Sequence, residues 1–182
     1  MKTPVKYSIA LPLVCLACIA LHAADTTPAQ SLVRAMRSDE IAVSSAKRAF
    51  LSGAVEERFG KTNASCVKKM PYTEFSAGSA RVLESVLSSQ EIGSALAFFQ
   101  SPAGTKYVEG LIRRLRASQG EDSTLPKVDS KEEIAPDQVA AIGEFSRSNL
   151  GHKIMGRDMT ESPAALAYGR DIMSAIAAKC GK

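Results

Sequence analysis

The sequence predicts an all-α protein, a single helical bundle of about six to eight helices with two helix–turn–helix corners. Three observations carry that prediction. Alternating runs rich in β-branched or aromatic residues, the mark of strands, are almost absent. Apolar residues recur instead at the i, i+3, i+4, i+7 spacing of one helix face. Serine, asparagine, glycine and proline punctuate those stripes where caps and turns belong.

At the N-terminus, Lys2 and Lys6 precede an apolar run from Tyr7 to Leu21 and the small-residue exit Leu21-His22-Ala23. Charged start, apolar middle and small exit describe a secretory signal peptide, residues 1–23, cut after Ala23. The run falls short of the roughly 20 residues that cross a bilayer, which argues against a membrane anchor. Cys15 and Cys18 leave a lipid-attachment signal as the other alternative, although the residues before them fit it poorly.

Export changes what the rest can do. The signal takes two of the 23 basic residues and none of the 19 acidic ones, leaving 21 against 19, a mature charge of +2. Mixed charge of that size gives no electrostatic footprint for nucleic acid. His22 leaves as well, so His152 is the mature chain's single imidazole. Of four cysteines, Cys66 and Cys180 remain, and in an exported chain such a pair reads as one disulfide. Two unpaired thiols are the alternative reading.

Residues 24–182 suit a single all-helical domain. Ala29, Leu32, Val33 and Met36 form its first stripe. An alanine-rich helix is expected over 39–59, with Asp39 as N-cap. Phe75, Ser79, Val82, Leu83 and Val86 mark the next helix, followed by Ile92, Ala95, Leu96 and Phe99. Gly104, Tyr107, Val108, Leu111, Ile112 and Leu115 make the following stripe. After a polar stretch read as an exposed linker, about 120–136, Ala165, Tyr168, Ile172 and Ile176 close the chain.

The most specific motif is Ala97-Phe98-Phe99-Gln100-Ser101-Pro102-Ala103-Gly104-Thr105-Lys106-Tyr107. Ser88 and Glu91 have capping-box spacing for the helix that ends near Gln100. Ser101 can cap the next helix, with Pro102 at its first position, where the missing N–H costs nothing. Gly104 would allow close approach of a neighbouring backbone. A weaker copy lies 47 residues on, in which Phe145, Ser148, Gly151 and Lys153 align with Phe98, Ser101, Gly104 and Lys106.

On Phe98, Phe99, Ser101, Pro102, Gly104 and Lys106 the sequence resembles a family of exported bacterial proteins, the domain of unknown function 2059. Phe99 stands where tyrosine is common in that family. The resemblance is clearest over about 82–115. It implies an all-helical periplasmic protein of a Gram-negative bacterium and brings no catalytic residues with it.

Chemistry-bearing clusters are sparse. Ser148, His152 and Asp158 have the residue types of a nucleophile, base and orienter, but Asp158 does not share the helix face of the other two. One histidine and no EF-hand spacing give no metal site, and no cofactor is implied. Lys106, Arg113, Arg114 and Arg116 lie along one helix and form a candidate face for an anionic partner, either an envelope protein or an anionic surface. A solvated helix face, balanced in part by Glu109, is the plainer reading. Functionally, the residues point to a non-catalytic binding or interaction protein of the cell envelope. A carrier of a small apolar or lipid-like ligand comes next, and a hydrolase last.

Overall fold

A computed structural model of the chain describes residues 26–118 and 134–181. The expected signal peptide and most of the expected linker lie outside the described residues. Among those described there are eleven α-helices, eight of them with seven or more residues, and no strands beyond one isolated bridge between Thr62 and Gly181. The all-α prediction holds.

α1 (Pro28–Met36) opens with Pro28 at its first position and a reciprocal Thr27/Gln30 capping box. It stops at Arg37, a non-glycine residue in the left-handed region (φ 51°), where the chain turns straight into α2 (Ser38–Leu51). The expected helix over 39–59 is therefore corrected at both ends. It starts at Ser38, and Asp39 is not its cap but accepts the neighbouring Glu40 N–H at 2.8 Å. It breaks after Leu51, where Gly53 takes φ 76°, and a separate turn, α3 (Glu56–Phe59), follows.

α4 (Ala64–Lys69) starts at Asn63, whose side chain accepts the Cys66 N–H. α5 (Ser76–Val86), α6 (Ser89–Gln100) and α7 (Pro102–Ser118) form the central run. α8 (Pro136–Arg147), α9 (Asn149–Met155), α10 (Arg157–Glu161) and α11 (Pro163–Cys180) complete the chain.

Two apolar clusters hold these helices. The first joins α1, α5, α6 and α7 around Leu32, Leu83, Ala95, Phe99 and Ile112. The second joins α2, α4 and α11 around Val43, Val67, Ile172 and Ile176. Cys66 and Cys180 are disulfide-bonded, with Cα atoms 5.5 Å apart. Their bond fastens the end of α11 to α4, where Asn63 N–H also donates to the Cys180 carbonyl at 2.7 Å. Closing a loop of that length is worth at most about 5 kcal/mol in the chain-entropy view.

Buried charge joins the elements as well. Glu40 is only 7% exposed and sits between two guanidiniums, Arg37 across the turn and Arg116 on α7. Lys47, 1% exposed, donates to the Lys68 carbonyl at 2.9 Å and lies over the Tyr72 ring. A charge so deeply buried requires such partners.

Candidate functional site

The Ser-Pro corner is built as the motif requires. Ser101 N–H donates to the Phe98 carbonyl, and the Ser101 hydroxyl accepts the Gly104 N–H at 3.2 Å. Gly104 is buried against the preceding helix end. A Cβ there would collide with the Phe98 carbonyl oxygen and come within 2.6 Å of the Phe99 Cα. The second copy repeats this atom for atom. Ser148 N–H donates to the Phe145 carbonyl, and its hydroxyl accepts the Gly151 N–H at 3.0 Å. A Cβ on Gly151 would strike the Phe145 carbonyl oxygen.

The repeat also reaches further than the short motif. α6 and α8 are both 12 residues long and start 47 residues apart. Glu91 accepts from the backbone N–H of Ser88, and its counterpart Gln138 accepts from that of Ala135. The equivalent rings Phe98 and Phe145 stack on each other, 3.8 Å between centroids and 1° from parallel. Phe99 packs edge-on to both.

The expected basic face is not one surface. Arg116 turns inward, its guanidinium bonding Glu40 through Nε at 3.1 Å and Nη2 at 2.6 Å. Lys106 lies 3.7 Å from Glu109, one turn along α7. Arg113 is half-buried and Arg114 exposed. Sequence alone missed this division because Glu40 lies 76 residues away from Arg116. The catalytic trio does not assemble either. His152 is exposed, while the Ser148 hydroxyl serves the helix cap and donates to the Phe145 carbonyl at 2.7 Å.

The feature with binding geometry lies elsewhere. Where the two apolar clusters meet, they leave a groove of about 780 Å3, lined mainly by α2, α5, α7 and α11, with residues of α3, α9 and α10 completing its walls. That volume falls within the roughly 300–1,000 Å3 of small-molecule sites. Its walls are apolar, with Ile41, Val82, Leu111 and Phe59 among them. Four of the protein's six methionines, Met36, Met155, Met159 and Met173, face it. Methionine is flexible and polarizable, so such a wall adapts to the shape of what it meets.

Polar groups in the groove are few. Ser38 and Ser79 share a hydrogen bond of 2.7 Å. Beside them the Tyr168 hydroxyl is buried without a hydrogen-bond partner among the described residues. Loss of water pushes that phenol up to about 12, and the nearby Asp39 carboxylate adds to the effect. Burial likewise raises Asp39, against the backbone N–H that favours its ionised form. The Tyr168 ring lies flat on Gly78, where a Cβ would meet it at 2.5 Å.

Among the described residues, the groove's charged lining consists of Arg58 and Arg170, both exposed, with no acidic residue facing it. Neither arginine has a carboxylate partner among the described residues. Neither is marked by a local sequence pattern, nor is Tyr168 as a polar group.

Among the described residues, fold and site together define an all-helical protein with an apolar groove between two packed clusters. Residues 74–120, from the 3-10 turn before α5 to just beyond α7, match the family described as an uncharacterized protein conserved in bacteria, the domain of unknown function 2059. This is the family that the Phe98–Lys106 motif resembles, and the matched segment contains the whole first corner. No curated protein and no solved structure matches the chain. No described helix is long and apolar enough to cross a membrane.

Proposed function

We propose that the mature chain is an exported, non-catalytic binding protein of the bacterial cell envelope whose ligand is a small apolar molecule seated in the groove. The groove itself carries this reading: a large apolar volume, lined by adaptable methionines, with few polar groups to set orientation. Export rests on the signal-peptide pattern of residues 1–23, and the periplasm is the compartment that suits a disulfide between Cys66 and Cys180. Engagement of Arg116 by Glu40 moves weight from a protein partner on the basic face to a ligand in the groove.

The test is titration of the mature protein with N-phenyl-1-naphthylamine, a neutral dye that fluoresces in apolar surroundings. Saturable enhancement at one site is expected. Ser45→Phe and Gly169→Phe should reduce it strongly by filling the groove. Ser45 is exposed, and a Cβ at Gly169 meets nothing within 4 Å, so both variants should fold. Absence of enhancement, or enhancement untouched by both variants, would overturn the proposal.

A further inference from the structure

The groove's charge pattern narrows its ligand. The mature chain carries nearly equal numbers of acidic and basic residues, yet among the described residues the charged side chains on the groove are two arginines. Some cations elsewhere find carboxylates: Arg37 and Arg116 at Glu40, Lys153 at Glu91, Lys179 at Glu74, Arg157 at Glu161. Arg58 instead stands with its guanidinium carbon 5.4 Å from the centre of the Phe59 ring, itself a groove residue. Stacking of that kind leaves the N–H edges of the fork available to an anion. Arg170, on α11, is exposed at the same groove.

Volume limits the ligand further. At about 780 Å3 the groove has the size of a small-molecule site, which suits a ligand with one alkyl chain and its head.

Resting on the groove being a ligand site, we infer that its ligand is a single-chain anionic amphiphile. Its chain lies along the methionine-lined wall, and its carboxylate or phosphate head is held at the rim by Arg58 and Arg170. Guanidinium forks bind both head types through paired, charge-assisted hydrogen bonds. A cationic head would be repelled, and a neutral one would leave both arginines unused.

Displacement of bound N-phenyl-1-naphthylamine tests this, using four C12 amphiphiles below their micelle concentrations: dodecanoate, dodecyl phosphate, dodecanol and dodecyltrimethylammonium. One or both anions should displace the dye at concentrations roughly tenfold below dodecanol, with the ammonium weakest. The ranking of the two anions tells a carboxylate ligand from a phosphate one. The Arg58→Gln/Arg170→Gln double variant should lose the preference for anions, read as the ratio of dodecanoate to dodecanol displacement at that variant's own dye affinity. The inference is overturned if dodecanol displaces as well as the anions do, or if the anion preference survives the double substitution. Failure of the dye itself to bind counts against the groove as a ligand site, and so separates the two claims. A dimer that binds no dye has its groove filled by a second copy, which overturns both.

Discussion

The two corners share a plan and differ in what surrounds them. Ile92 on α6 is 5% exposed, whereas its counterpart on α8, Val139, is 54% exposed. α6 buries Ile92, Ala95 and Phe99, and α1 lies along it; α8 buries no residue. Yet the caps, the carbonyl against each glycine and the 12-residue helix length coincide. Corner geometry is thus a local property, fixed by Ser, Gly and the preceding backbone carbonyl. Burial is a tertiary property that depends on a partner helix, and α1 covers one copy only. Gly156 then stops α9 after 7 residues, while α7, without a glycine break of that kind, runs for 17.

The glycines give the sharpest contrast. In Gly104→Ala the new methyl meets backbone on a helix held by the first cluster, so neither side can yield. A loss of about 3 kcal/mol is expected, the upper end for overpacking. Gly151→Ala creates an equally close contact, but α8 can shift on its exposed side, and about 1–2 kcal/mol is expected. Denaturant unfolding of the two variants measures both. Equal losses would mean that α8 is held as firmly as α6, and the comparison would fail.

This division also explains what the sequence made legible. Helix stripes, the Ser88 cap and both corners are local patterns, and each could be read from residues a few positions apart. The break after Leu51 was signalled by Ser52-Gly53, but the apolar and alanine-rich residues on either side masked it. The left-handed turn at Arg37 had no local signal. It is accommodated because Arg37 reaches Glu40, which Arg116 engages from α7. The groove is less legible still. It is a gap between two clusters, and no periodicity encodes a space that side chains leave empty. Arg58 and Arg170 read as ordinary surface arginines until the helices bring them to the same groove.

The caps should reverse the order of the glycines. Capping is a contact within one turn, so Ser101→Ala and Ser148→Ala should each lose about 1 kcal/mol whatever surrounds them. Ser148 also donates to the Phe145 carbonyl at 2.7 Å, so its loss should be at least as large as that of Ser101. Unfolding midpoints at constant m-value give the comparison. A much smaller loss at Ser148 would show the second corner to be frayed in solution and its likeness to the first to be superficial.

The finest difference lies in the aligned lysines. Lys153 crosses to the other copy and bonds Glu91 at 2.6 Å, whereas Lys106 lies by Glu109 on its own helix. The Lys153 ammonium, followed by the backbone and hydroxyl of Ser88, holds the Glu91 carboxyl down at about 2, from an ordinary 4.5. A depressed carboxyl favours folding at pH above its unfolded value, and that contribution fades as pH falls from about 4.5 towards about 2. Glu91 is half-buried at the surface, so the clear readout is its own titration, followed by NMR on the side-chain carboxyl carbon. Lys153→Gln should move that titration upward, stopping short of 4.5 because the Ser88 donors remain. Lys106→Gln should leave it at about 2. If both substitutions move it equally, the Lys153–Glu91 pair is not what distinguishes the copies, and the cross-link between the two corners is lost as an explanation.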